Sequence, residues 1–176
     1  MKIKYLNSGL RPSLAQVLDR REEKQNIINE LDRKYNDNAS IFFTLNIPGP
    51  VKNNSKIEEL FSYGKEKIIE EIKKLEINII YKKEYSLITG PELYLSVFCD
   101  EKYLKSQMCQ IEDSKLGRLF DIDVYKNGCF ISRREIGVDE RKCFLCNKKA
   151  KICARSRAHS IDKMLIYIEK IMDLYL

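Results

Sequence analysis

The chain has 176 residues, of which 44% are hydrophobic and 33% are charged, so it is long enough to form one domain with a buried core. Its apolar runs are much shorter than the roughly 20 residues of a membrane span, and its first residues lack the apolar core of a signal peptide. We therefore expect a cytoplasmic protein and exclude the membrane, secreted and disordered classes, while the net charge of +6 points to an anionic partner.

The predicted elements follow the order helix, strand, helix, two strands, helix, two strands, helix. In chain order they lie at residues 13–36, 40–47, 55–75, 77–86, 92–98, 100–113, 118–126, 129–133 and from 160 onward. Ser13 and Gln16 match a capping box that begins the first helix. Asn127-Gly128 is a strong signal for the tight turn of the last hairpin.

This order predicts an α/β or α+β fold in which a central mixed sheet of about five strands is flanked by helices. We treat residues 1–176 as a single domain, because no linker or internal repeat divides them. Residues 137–159 form a Cys- and His-rich segment within that domain, for which the pattern predicts no regular element. The charged stretch from Asp19 to Lys24 in the first helix is interpreted as a solvated face.

Two carboxylates lie on the predicted strand over 118–126. Because side chains alternate along a strand, Asp121 and Asp123 share one face, roughly 6–7 Å apart, while the residues between and beside them face the core. Two carboxylates so placed repel each other unless a cation lies between them. The pair is therefore a candidate Mg²⁺ site acting on substrate phosphates; the alternative is an exposed strand edge with two solvated carboxylates.

Four residues near the C-terminus have the spacing of a structural zinc site. Cys143, Cys146, Cys153 and His159 form the pattern C-x2-C-x6-C-x5-H, and such ligands complete the tetrahedron that Zn²⁺ prefers. The alternative is a group of buried thiols, with His159 at a helix N-terminus or in the active site. Scattered cysteines without a disulfide framework also favour a reducing compartment.

Positive charge is concentrated at residues 132–159, which contain nine Lys or Arg and three acidic residues. Arg133 and Arg134 follow the predicted hairpin and should therefore lie near the aspartate pair, while Arg155 and Arg157 precede the last helix. Guanidinium groups bind phosphate oxygens in a bidentate manner. We predict that these four arginines bind phosphate; the alternative is surface charge that serves solubility.

The sequence Pro48-Gly49-Pro50 predicts a rigid turn directly after a strand. Such turns often lie at the ligand-binding edge of a sheet. Asn46 and Lys52 on either side are therefore candidate ligand-binding residues, and a purely structural turn is the alternative.

Four segments of the chain, in order, resemble one known family. They are LDRRE at 18–22, TLNIPGPVK at 44–52, GRLFDIDV at 117–124, and 132–160 with its SRR, CFLC and CARSRAHS pieces. Together they resemble the citrate lyase holo-acyl-carrier-protein synthases, also called apo-citrate lyase phosphoribosyl-dephospho-CoA transferases. Residues 89–92, Thr-Gly-Pro-Glu, fit the same pattern.

The resemblance implies a cytoplasmic, nucleotidyltransferase-type enzyme. Its donor would be 2′-(5″-triphosphoribosyl)-3′-dephospho-CoA, and its acceptor a serine of the acyl-carrier (gamma) subunit of citrate lyase. The product would be a phosphodiester, with pyrophosphate released and with no role for nucleic acid or membrane. From the residues and this donor together we infer that Asp121 and Asp123 are catalytic and hold Mg²⁺, and that Arg118 joins the four other arginines, Asn46 and Lys52 in binding the donor.

Two other functions fit part of the sequence. A nucleic-acid-binding module with a zinc knuckle would explain residues 132–159 but would leave the aspartate pair and the Pro-Gly turn without a role. A scaffold that only docks the acyl-carrier subunit would also use the basic segment. Replacement of Asp121 separates an enzyme from a scaffold, because only the enzyme loses turnover.

Overall fold

The computed structural model describes residues 2–176 of the chain. It contains helices α1 to α5 at Leu14–Lys34, Ser55–Lys74, Glu101–Glu112, Ala150–Ser156 and Ile161–Tyr175. Strands β1 to β5 lie at Ala39–Leu45, Ile79–Leu87, Gly90–Val97, Phe120–Lys126 and Cys129–Phe130. Within residues 2–176, no helix is both long enough and apolar enough to cross a membrane.

The five strands form one sheet in the order β2-β3-β1-β4-β5. The single sheet flanked by helices, with a cysteine cluster near the C-terminus, confirms the predicted fold class. We predicted a mixed sheet, with both parallel and antiparallel neighbours. In the structure all four pairs of neighbouring strands are antiparallel.

The reason for the antiparallel sheet lies in the two crossovers through helices. Helix α2 connects β1 to β2 and helix α3 connects β3 to β4, and each crossover skips one position in the sheet. The skipped position is filled by an antiparallel strand, so the parallel strands joined by each helix are never neighbours. This is the split β-α-β arrangement, in which two such units interlock.

The two faces of the sheet are covered differently. One face packs its apolar side chains against α2, α3 and α5 and forms the main core. On the opposite face a smaller cluster packs against α1; its buried members are Ile28, Leu31, Phe42, Tyr94 and Tyr125. Because α1 covers only part of this second face, polar side chains on the sheet remain accessible there.

The chain departs from the predicted elements mainly after the last hairpin. Asn127 and Gly128 both have positive φ, at 51° and 79°, as the predicted turn requires. Strand β5 then ends after two residues, because Ser132 caps a short 3-10 helix over Arg133–Ile136. Helix α4 was not predicted, since its seven residues carry only one buried side chain and therefore no apolar stripe.

Candidate active site

The two predicted carboxylates share one face of β4. Asp121 and Asp123 lie opposite Thr44 and Phe42 of β1, on the face that α1 partly covers, while their neighbours along the strand are buried. The Asp121 side chain is 49% exposed. Burial and the nearby Asp121 carboxylate raise the pKa of Asp123, and Lys105 and Lys24 offset part of this effect. The pair therefore places two interacting carboxylates on one strand face, of which Asp121 is the one open to solvent.

Side chains form the hydrogen bonds of the β4 backbone where no strand lies beside it, because the partner strand β5 pairs only with Tyr125 and Lys126. The Ile122 amide donates to the Glu112 carboxylate at 2.9 Å, and its carbonyl accepts from Lys105 Nζ at 2.6 Å. These contacts hold the strand in place directly beside the aspartate pair, in a region where unpaired backbone groups would be costly.

Arg141 lies closest to the aspartate pair among the arginines of the basic segment. Its guanidinium donates to the Phe120 carbonyl at 2.9 Å and lies 3.7 Å from Asp121 Oδ1. Glu112, whose side chain is 1% exposed, accepts from both Arg141 and Arg133. Glu112 therefore anchors the basic segment to the sheet, a role that the sequence analysis missed.

A signal for Glu112 was present in the sequence. It lies on the helical stripe of buried residues in α3 that also contains Leu104, Lys105, Met108 and Cys109. A charged residue on a buried stripe requires a partner of opposite charge. Arg141 was counted in the basic segment, but nothing in its spacing distinguishes it from the neighbouring cations.

A cavity of about 650 Å³ opens between the Pro-Gly turn and the Cys-rich segment. Among the predicted donor-binding residues, Asn46, Arg118 and Arg157 line it. The Arg118 guanidinium lies 5.9 Å from the centre of the Phe144 ring and donates to the Lys142 carbonyl. The structure thus brings these three predicted residues together around one space.

The other predicted donor-binding residues lie outside this cavity. Arg133 is paired with Glu112 and Asp113, each at 2.9 Å. Arg134 and Arg155 are exposed to solvent. Lys52 Nζ donates to the carbonyl of Ile47 at 2.7 Å, and burial lowers the pKa of Lys52.

The Cys and His residues meet as their spacing predicts. The ligand atoms of Cys143, Cys146, Cys153 and His159 all lie within 4.8 Å of one another. Cys146 Sγ is 3.5 Å from Cys153 Sγ and 3.4 Å from His159 Nε2. A group of three thiols and one imidazole suits a metal such as zinc.

The chain around the thiols is folded as a tight turn followed by a helix. The Cys143 amide donates to the Lys148 carbonyl at 2.8 Å, which closes the turn, and α4 then carries Cys153 towards it. Burial would raise the pKa of Cys143, but hydrogen bonds from the backbone of Leu145 and Cys146 lower it overall. Burial and hydrogen bonds with Cys146 and Cys143 raise the pKa of Cys153 to about 11, so Cys143 ionises before Cys153.

Two further segments that carried the resemblance also have a structural explanation. A Cβ on Gly117 would lie 1.8 Å from the Ile111 carbonyl oxygen, so only glycine fits where the chain enters β4. Arg20 of α1 forms two hydrogen bonds with the buried Glu92 carboxylate, at 3.2 and 2.7 Å, and lies over the Tyr85 ring. The interpretation of 19–24 as a fully solvated face is therefore wrong for Arg20, whose charge is paired inside.

Comparison with known proteins gives the family that the chain matches. A family model described as apo-citrate lyase phosphoribosyl-dephospho-CoA transferase matches residues 12–175. A probable apo-citrate lyase phosphoribosyl-dephospho-CoA transferase of Streptococcus pyogenes serotype M18 is 35% identical, over 94% of this chain and 88% of its own length. The corresponding transferase of Citrobacter koseri is 31% identical over 75% of this chain and 73% of its own length. Protein CitXG of Leuconostoc mesenteroides is 34% identical over 94% of this chain, which spans 38% of that longer protein.

Proposed function

Since the chain belongs to the apo-citrate lyase phosphoribosyl-dephospho-CoA transferase family, we propose that it attaches the prosthetic group to a serine of the acyl-carrier (gamma) subunit of citrate lyase. The donor is 2′-(5″-triphosphoribosyl)-3′-dephospho-CoA, and the reaction is of the nucleotidyltransferase type. The observation that carries this proposal is the aspartate pair on β4, with Arg141 3.7 Å from Asp121 Oδ1. Carboxylates and guanidinium groups at one place suit a substrate that carries both phosphates and a leaving polyphosphate.

The proposed transfer balances without an oxidant or reductant. The serine oxygen of the carrier forms a bond to the α-phosphorus of the donor, and the bond from that phosphorus to the bridging oxygen breaks. Pyrophosphate leaves with that oxygen, and the hydroxyl proton goes to a carboxylate of the Asp121–Asp123 pair. The nucleophile belongs to the partner, so this chain needs no activated serine of its own.

The aspartate pair is suited to Mg²⁺, because two carboxylates on one strand face repel each other in its absence. When bound there, the ion would neutralise charge on the triphosphate. Arg141 adds fixed positive charge at the same place, and Glu112 holds its guanidinium. These residues orient the α-phosphate between the carrier serine and the leaving group.

We assign the Cys3His group to structural Zn²⁺. Four ligands leave no open coordination position, which is typical of structural rather than catalytic zinc. All six cysteines are free, which supports a reducing compartment such as the cytoplasm.

The test is direct observation of the transfer. The protein is incubated with apo acyl-carrier subunit, the triphosphoribosyl donor and Mg²⁺, and the carrier is examined by intact-mass measurement while pyrophosphate is assayed. We expect one prosthetic group added for each pyrophosphate released. A carrier with its acceptor serine replaced by alanine is the control. A folded, metal-loaded protein that leaves the carrier mass unchanged would contradict the proposal.

A further inference from the structure

We infer that the cavity between the Pro-Gly turn and the Cys3His group binds the dephospho-CoA part of the donor, an inference that rests on the proposed function. The family name states that the donor carries dephospho-CoA. That moiety combines a flat adenine base, a chain of aliphatic and amide groups, and two phosphates. The walls of the cavity offer the same combination.

The cavity has the size of a ligand site and walls from distant parts of the chain. Its volume of about 650 Å³ lies within the range of small-molecule and cofactor pockets. Pro48 of the turn forms one side, and Cys143, Cys153 and His159 of the metal group lie on the other. The turn packs against the start of α5, since a Cβ on Gly49 would be 3.5 Å from Ile161. The cavity therefore exists only when the turn, α5 and the Cys3His group are all in place.

The lining combines an apolar wall with cations. The apolar residues include Pro48, Phe144, Ile161 and Met164, and the cations are Arg118, Arg141, Lys142 and Arg157. No aspartate or glutamate occurs among the described lining residues. A ligand for this space must therefore carry negative charge as well as apolar surface.

Pyrophosphate alone does not match this lining. It has no apolar surface, so the wall around Phe144 would gain nothing from contact with it. Adenine can stack on an aromatic ring, and a guanidinium such as that of Arg118 can contact both the ring and a phosphate. The dephospho-CoA moiety is thus the part of the donor that uses both kinds of side chain.

The position of Arg141 connects the cavity with the aspartate pair. Arg141 lines the cavity and also lies 3.7 Å from Asp121 Oδ1. A donor whose dephospho-CoA occupies the cavity can therefore direct its triphosphate past Arg141 towards β4. On this arrangement the donor is bound in the cavity, and the transfer takes place at the aspartate pair.

The experiment measures binding of dephospho-CoA by calorimetry and the donor KM in the transfer assay, using the full metal-loaded protein. Ile161→Glu places a negative charge in the cavity at a position that is 47% exposed, and circular dichroism checks that the variant is folded. Leu174→Glu, at a 64% exposed position of the same helix outside the cavity, is the matched control. A second pair of separate variants is Phe144→Ala in the cavity wall and its control Phe98→Ala, at an exposed phenylalanine outside the cavity.

We expect Ile161→Glu and Phe144→Ala to weaken dephospho-CoA binding and to raise the donor KM by at least roughly tenfold, with both control variants unchanged. If both cavity variants bound dephospho-CoA as tightly as the wild type does, the inference would be overturned. It would also be overturned if the same variants lost binding of tripolyphosphate but kept binding of dephospho-CoA. Normal transfer with an unchanged donor KM in Ile161→Glu overturns the cavity assignment alone. Absence of transfer by the wild type overturns the proposed function, whereas loss of dephospho-CoA binding in Ile161→Glu still supports the cavity.

Discussion

The sheet body, meaning β1 to β4 with α2, α3 and α5, and the C-terminal segment, residues 137–159, are held by different interactions. The sheet body contains nearly all of the main core, with side chains that are fully buried on one face of the sheet. In the described C-terminal segment, Cys153 is the single buried residue. This segment therefore depends on its Cys3His group and on ion pairs such as Arg141 with Glu112.

The two regions also divide the work of the proposed reaction. In the proposal, the sheet body supplies the two carboxylates of β4, whereas the C-terminal segment supplies cations and one wall of the cavity. Except at the cavity wall that the start of α5 contributes, changes in the sheet body are thus expected to alter turnover or stability, and changes in the C-terminal segment to alter donor binding. Four substitutions test this division, in order of decreasing expected effect.

The largest effect is expected from Asp121→Asn on the sheet body. It keeps the size of the side chain but removes a charge that faces the substrate, so we expect kcat to fall by at least about 100-fold with the donor KM little changed. Steady-state kinetics with pyrophosphate detection measures both constants. Asp139→Asn, an exposed aspartate of the C-terminal segment, is the control. Affinity for the carrier should be unchanged, and turnover equal to that of the wild type would favour a docking scaffold instead.

Glu112→Gln breaks the link between the two regions. The Glu112 side chain is 1% exposed and accepts from Arg133 and Arg141, so loss of its charge leaves both guanidinium groups underpaired. We expect the free energy of unfolding to fall by about 3 kcal/mol, as measured by urea denaturation. Glu59→Gln removes an exposed pair with Lys56 and should cost less than about 1 kcal/mol. Equal effects of the two variants would show that Glu112 does not anchor the segment.

The division also explains how far the sequence predicts this molecule. In the sheet body, alternating and helical apolar patterns predicted all seven elements, because burial on one face imposes a period of two or 3.6 residues. The strand directions could not be predicted in this way, since the apolar period of a strand does not show which strands are its neighbours. In the C-terminal segment the ligand spacing alone was informative, and it correctly grouped the four side chains that could hold a metal ion.

The ion pairs between the two regions were the part that the sequence did not reveal. Glu112 and Arg141 are 29 residues apart along the chain, and no local pattern relates them. Arg133 lies in the same basic run as Arg157, yet the structure pairs Arg133 with acidic side chains and leaves Arg157 at the cavity. Which cation has a carboxylate partner depends on tertiary contacts that residue counts do not contain.

Cys146→Ser is expected to affect the C-terminal segment alone. Without its fourth ligand the metal is lost, and a segment with so few buried side chains has little else to fix its structure. We expect the zinc content to fall from about one to zero, and the donor KM to rise by roughly tenfold. Hydrogen exchange should increase at 143–159 and stay slow in β1 and β4.

The matched control for that variant is Cys129→Ser, because Cys129 is exposed and lies outside the Cys3His group. It should retain the metal and the donor KM of the wild type. If Cys146→Ser also retained its metal and its protection at 143–159, the segment would not depend on metal binding, and the comparison between the two regions would fail.

The smallest effect is expected from Gly64→Ala in the sheet body, whose stability depends on side-chain packing rather than on metal ligands. An alanine Cβ there would lie 2.5 Å from Phe43 Cζ and 2.9 Å from Phe120 Cζ. Both rings are fully buried, and Phe43 is stacked on Phe61, so neither can move away freely. Overpacking costs about 1–3 kcal/mol, and the higher helix propensity of alanine returns up to about 1 kcal/mol of this.

The net loss for Gly64→Ala should therefore be about 1–2 kcal/mol in the free energy of unfolding, with metal content and donor KM unchanged. Glu66→Ala, at an exposed position of the same helix, should change the stability by less than about 0.5 kcal/mol. Because Phe120 directly precedes Asp121, the same variant also asks whether strain in the core reaches the carboxylates. A lower kcat would mean that this strain reaches the carboxylates, and a raised donor KM would mean that core packing also shapes the cavity, so that the two regions are not independent.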